Sequence, residues 1–347
     1  PDPAGGEAVT GKIRGILPFF GAVSLYLGLA LYQLYPAWWD PAHGVVGDWR
    51  HPDTLSNHWL YRWIVERLLA GESIVHNDRY YVPVGDAPWL AGNGSDAVPS
   101  LILAWLPWPA SVTAWALLAL VLNGVSGWLL ARRTGASAAA ATAAGGVLAV
   151  FPYVDAELSG GRFAQMPVYQ VAFFLVAWSA LLEHAPVEGP VRPSRGLLLR
   201  ALLAAGLFAL AAFSFWYHGL WAALLGVCWF AWRLRWRALV PFVPAAVLAV
   251  APFLAIFALH WTEIPGVAED SFPHAVACQA SLPPWFPLLG RPGFWGPIVS
   301  PLALLVGVAV ALLPGGRLPW THRAALLAGL IFWALCLGPY QIGRAHV

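Results

Sequence analysis

Seven residues at positions 47–53, GDWRHPD, bring Asp48, Arg50, His51 and Asp53 together on one short stretch. A carboxylate held there can take the proton of an acceptor hydroxyl as a general base. Two carboxylates can instead share a divalent cation, and Asp48 with Asp53 is the pair that would hold it. The same residues have structural uses: Asp53 can cap a following helix, and Asp48 can close a local turn. A second charged group stands at Asp155, Glu157 and Arg162. The planar guanidinium of Arg162 suits a phosphate oxygen, and it can equally pair with Glu157 or snorkel to an interface. His218, in FWYHGLW at 215–221, is a further candidate, although the aromatic residues around it also fit an interfacial belt. Asp78 and Arg79 are placed to line an acceptor groove or to form a local salt bridge, and Arg291 is a candidate phosphate contact.

These residues need a scaffold, and composition says which solvent that scaffold meets. Of 347 residues, 59% are hydrophobic and 10% charged, with 21 Trp and a mean hydropathy of +0.66. Soluble domains carry roughly 25% charged residues, so this chain cannot cover a globular surface with groups that suit water. Lipid is the solvent expected for most of it. A net charge of +2 with scattered basic residues argues against nucleic acid, which demands a concentrated basic face. Cys228, Cys278 and Cys336 are far apart and form neither a metal motif nor a disulfide framework.

A spanning helix needs roughly 20 mostly apolar residues. Nine stretches qualify: 16–35, 110–130, 136–153, 166–182, 196–215, 216–232, 239–260, 296–313 and 323–338. The brief stretch 98–108, broken by Pro107 and Pro109, is expected to dip in as a half-helix before the next span. Alternation along these spans puts Lys12/Arg14, Arg132/Arg133, Arg192/Arg195/Arg200, Arg233/Arg235/Arg237 and Arg317/Arg323 on one side. The positive-inside rule makes that side cytoplasmic, with the amino terminus inside. The opposite side receives the loops 36–99 and 261–295. The first holds eight carboxylates against four arginines, yet is rich in Trp, Tyr, Leu and Ile, which argues for order.

Within that first loop, 57–70 is expected to be a helix ended by Gly71. His58, Arg62 and Glu66 repeat at helical spacing as one polar stripe, and Trp59, Leu60, Trp63, Ile64 and Leu68 form the apolar remainder. That is the pattern of a helix lying in the membrane interface. The chain as a whole is a single transmembrane domain, and both ends look artificial: it starts at Pro1, and QIGRAHV at 341–347 resembles a translated sequencing adapter. No Walker A or G-x-G-x-x-G pattern occurs, which disfavours a soluble nucleotide site. The span interiors contain almost no ionisable residues, which disfavours an ion-coupled transporter.

An acidic motif just after the first span, followed by an interfacial helix, resembles the GT-C superfamily of integral membrane glycosyltransferases. The run GDWRHPDTLSNHWLYRWIVERLLAGESIVHNDRYYVPVG (47–85) is similar to bacterial members, as are GWLLARRTGAS (127–137) and FPY (151–153). The likeness covers 47–182. It implies a polytopic all-α bundle in the bacterial cytoplasmic membrane that moves a sugar from a polyprenyl-phosphate carrier to a lipid or glycan acceptor at the outer face. The family's acidic pair falls on Asp48 and Asp53, although HPD departs from the usual DP order. Its Gly-His pair falls on Gly161-Arg162. By this resemblance Asp53 or Asp48 is catalytic and Arg162 meets the carrier phosphate; His51, Arg50, Asp78, Arg79, Glu157 and His218 are the further substrate-binding candidates, read from their own positions. A divalent cation is the one cofactor the carboxylates would accommodate. Two other readings stay open: a translocator of lipid-linked saccharide, and a non-catalytic scaffold of the same fold.

Overall fold

The computed structural model describes residues 4–74, 76–77, 87–88, 101–192 and 194–259. The expected spans 296–313 and 323–338, the loop 261–295 with Arg291, Asp78 and Arg79, the motif at 81–85, and Cys278, Cys336 and the tail at 341–347 lie outside the described residues.

Among the described residues the chain is helical. Its one extended feature is a two-residue antiparallel pairing, β1 (His76–Asn77) with β2 (Ala87–Pro88). The helices are α1 (Ala4–Gln33), α2 (Pro52–Ala70), α3 (Ala110–Arg133), α4 (Ala138–Ala149), α5 (Pro152–Ser159), α6 (Tyr169–His184), α7 (Arg195–Ser214), α8 (Trp216–Arg233) and α9 (Leu239–Leu259). Among the described residues three stretches are long and apolar enough to cross a membrane: Ala110–Arg133, Ala138–Ser159 and Arg195–Ser214. Shorter apolar helices cover Leu17–Gln33, Tyr217–Ala231 and Trp236–Pro252.

One boundary differs from expectation for a local reason. The stretch expected over 136–153 runs on to Ser159, because Pro152 interrupts one helix and then occupies the first turn of the next. Of the stretch 98–108, residues 98–100 lie outside the described residues; Leu101 and Ile102 are helical, and tight turns follow, with Ala104 N–H donating to Leu101 O and Leu106 N–H to Leu103 O.

The bundle wraps around α6. Helices α3, α7 and α8 all pack on it, so Phe174, Trp178, Leu181 and Leu182 are buried by protein. α7 has the reverse pattern to a water-soluble helix. Its Ala201, Ala204 and Ala205 face inward, while Leu198, Leu199, Leu202 and Leu203 stay exposed. Small residues on the inner face let backbones approach closely, and an apolar outer face is compatible with a helix that crosses a membrane.

The same logic joins α1 to α3 and α4. Tyr26 is fully buried and donates to Thr142 O at 3.1 Å. A Cβ added at Gly145 would lie 2.2 Å from its hydroxyl, and one at Gly124 would lie 2.5 Å from its ring. Gly145→Val is therefore expected to cost roughly 1–3 kcal/mol through overpacking, read as a lower thermal midpoint in detergent. An unchanged midpoint would mean that Tyr26 is free to leave its slot.

Arg133 bonds Ser179 Oγ at 3.1 Å and pairs with Glu183, while Arg237 bonds the Val187 carbonyl. The loops after α3, α6 and α8 thus meet at one end of the bundle. The segments 47–53 and 157–165 lie at the other end.

Candidate functional site

The acidic loop reaches the bundle through glycine. Gly47 and Gly161 adopt the left-handed φ values of +97° and +66°, which side chains with a Cβ disfavour. They also cross so closely that a Cβ on Gly47 would stand 3.1 Å from Gly161 Cα, and one on Gly161 only 2.4 Å from Thr54 Cα. Asp48 N–H donates to Ser159 O at 2.6 Å beside this crossing. Residues about a hundred positions apart are thereby locked into one turn-on-turn junction.

Four charged or titratable side chains meet there. Asp53 Oδ2 lies 3.7 Å from Arg162 and 3.7 Å from His51 Nδ1. The Nε of Arg162 bonds the carboxylate of Glu157, which is only 7% exposed. That bond, aided by the charge of Glu157 and then of Asp53, pushes the guanidinium pKa above its ordinary value despite partial burial. Asp53 and Arg162 are half-buried, so the group is open on one side.

The loop's local structure follows from α2, which begins at Pro52 rather than at residue 57. His51 supplies the cap: its Nδ1 accepts the N–H of Asp53 at 3.3 Å, and Pro52 fills the first turn, where no donor is needed. Asp53 is thus not the cap but a first-turn acid, where a negative charge suits the helix dipole. In that tautomer His51 Nδ1 carries no proton to offer Asp53, and the 3.7 Å approach becomes an ion pair only when the ring is protonated. Asp48 does make the local bond considered for it, accepting from Arg50 N–H at 3.0 Å, and its side chain is exposed. The Arg50 guanidinium lies over Trp49 at 5.5 Å. Asp155 is exposed as well.

The expected polar stripe on α2 needs correction. Arg62 and Glu66 form an exposed pair at 2.8 Å, but His58 is 1% exposed. Its ring donates from Nε2 to the Val46 carbonyl at 3.0 Å and meets Phe163 and Trp108 edge-on at 5.0 and 5.9 Å. His58 therefore pins the start of the acidic loop against the residue that follows Arg162. Helical spacing revealed which residues share its face but not that the loop folds over that face. Leu60, Trp63 and Ile64 are buried by protein in the same way.

Burial pushes the His58 pKa below its ordinary 6.5, and the bond to Val46 only partly offsets this. Unfolding would free the ring to bind a proton as pH falls through about 6.5, so stability should decline on acidification below that point and level off once the folded ring titrates. The thermal midpoint is expected to fall between pH 7 and 5 in the native chain and to fall less in His58→Gln. Equal slopes would assign the acid sensitivity elsewhere.

Two buried polar residues that sequence reasoning missed complete the support. Asn123, in the middle of α3, donates to Met166 O at 3.1 Å and accepts from Tyr169 N–H at 2.8 Å, fixing the segment between Arg162 and α6. A lone amide inside an apolar span was the available signal, since such a group must find partners. Thr54 is buried in the glycine crossing with its hydroxyl unpartnered among the described residues, and nothing in the sequence marks it. His218 is fully buried at the start of α8 between the Phe215 and Trp221 rings, at 5.4 and 5.3 Å. Neither ring nitrogen has a hydrogen-bond partner among the described residues. Trp221 in turn meets Tyr153, one helical turn before Glu157, so His218 lies behind the cluster rather than on its open side.

Among the described residues no group of three or more His, Cys, Asp or Glu side chains is arranged to hold a metal ion. No protein-family model matches this chain, and neither a curated protein nor a solved structure matches it.

Proposed function

We propose that the chain is a GT-C-like membrane glycosyltransferase that moves a sugar from a polyprenyl-phosphate carrier to a lipid or glycan acceptor. The reaction would take place at the outer face of a bacterial cytoplasmic membrane, with the amino terminus inside. The observation that carries the reading is the convergence of Asp53, His51, Arg162 and Glu157 at the bundle end opposite the arginine clusters. Asp53 takes the proton of the acceptor hydroxyl. The acceptor oxygen then bonds to the anomeric carbon as the bond to the carrier phosphate breaks, with inversion. Arg162 stabilises the charge that gathers on the leaving phosphate. Asp48 and Arg50 form the exposed rim, and with Asp53 the former would hold a divalent cation if the reaction uses one.

A second reading draws on the same pairing. Arg162 is already engaged by Glu157 and Asp53, and a fully satisfied ion cluster is what a non-catalytic scaffold needs to fasten its loop. Vesicles containing the full chain and a polyprenyl-phosphate-linked radiolabelled sugar separate the readings. Label appearing on an acceptor glycan supports transfer. Label that crosses the bilayer still bound to its carrier indicates translocation, and label that stays where it was loaded indicates a scaffold.

A further inference from the structure

Next to the cluster, and walled off from it, a cleft of about 370 Å³ opens between α2 and the start of α3. Its walls are mostly apolar, from Val65, Leu106, Trp108, Val112 and Trp115, with Ser111 and the Arg62–Glu66 pair adding polar groups. The indole N–H of Trp115 donates to Tyr61 Oη at 3.1 Å, so these two lining groups satisfy each other within the protein. His58, packed between Trp108 and Phe163, separates the cleft from Arg162 and Asp53. On the outer side Ile102 and Trp105 are 66% and 77% exposed, and they lead directly into α3, a candidate span. Arg62 stands on the α2 flank, its Nε on Glu66 and its terminal nitrogens pointing to no described acceptor.

We propose that this cleft binds one glycerophospholipid of the surrounding bilayer, with an acyl chain between α2 and α3 and the lipid phosphate at Arg62. Ligand cavities span roughly 300–1,000 Å³, so this one is sized for a single slender chain. The apolar wall continues into the exposed apolar rim of a candidate span, which lets a chain enter sideways from hydrocarbon. A guanidinium with donors to spare supplies the complementary charge for a phosphate. The inference stands independently of the transferase reading, because the cleft and the charged cluster share no wall open to both.

The test uses the full chain in phosphatidylcholine vesicles doped with a phosphatidylglycerol whose acyl chain carries a photoreactive diazirine. Cross-links are mapped by peptide mass spectrometry. Residues 61–66 and 104–115 are expected to label, and Val112→Trp should cut that labelling about tenfold while the exposed face at 198–203 labels as before. Arg62→Gln should lower it about fivefold, and a diacylglycerol probe without phosphate should label the cleft as weakly in the native chain. Should Val112→Trp abolish labelling at 198–203 too, Ala104→Leu fills the cleft from the opposite wall and replaces it. Cleft labelling that survives filling, ignores the phosphate, or is displaced by polyprenyl phosphate but not by phosphatidylglycerol would overturn the proposal.

Discussion

Arg162→Leu is expected to destabilise the fold by about 1–3 kcal/mol, below the cost of breaking a fully buried ion pair because the guanidinium is half-buried. The member left is Glu157, 7% exposed and bonded through its carboxylate to the lost guanidinium. Asp53, which is more exposed, would suffer less. The double variant Arg162→Leu with Glu157→Leu removes both charges, and apolar replacement of a whole pair is commonly near neutral. Most of the stability should therefore return in the double variant, measured as the thermal midpoint in detergent. A double variant as unstable as the single one would show that Arg162 acts through packing and not through the pair. The comparison bears on the scaffold reading, since a cluster kept only to fasten the loop would be dispensable once apolar groups fasten it equally well.

Asp53→Asn tests the chemistry with the least structural disturbance. Asparagine keeps the shape and the first-turn position, and the capping bond to His51 comes from the backbone N–H, which the substitution leaves in place. A lost general base lowers rate by roughly 10²–10⁴-fold, so transfer should fall by that factor with insertion and thermal midpoint nearly unchanged. Asp48→Asn is expected to fall much less, because its carboxylate already accepts the Arg50 N–H and lies exposed on the rim. Full transfer by both variants would end the assignment of the general base to this acidic pair, whereas a larger loss for Asp48→Asn would exchange the two roles.

How these residues divide between what sequence reveals and what it conceals follows from the range of the forces involved. Hydropathy is summed over neighbours in the chain, so the long apolar stretches at Ala110–Arg133, Ala138–Ser159 and Arg195–Ser214 were legible as candidate spans. The stop of α2 at Gly71 was equally legible, because a left-handed cap is a local requirement that glycine meets. The start of α2 was misjudged by five residues, since a histidine cap competes poorly with aspartate as a signal even though its ring accepts the same backbone bond. Arg162, Asp53 and Glu157 could be named individually, but that they share one place depends on two glycines crossing with no room for a Cβ. The carboxylate–guanidinium–carboxylate grouping was therefore settled only by tertiary structure.

The sequence by itself determined the long apolar stretches of this protein and the helical character of its described framework, because both are encoded in composition and period along the chain. Tertiary structure alone decided that His58 faces inward to hold the acidic loop, that Asn123 anchors the Arg162 segment, and that His218 lies behind the cluster. Those outcomes turn on which surface is covered by residues distant in sequence, and a helical period specifies a face without specifying its neighbour.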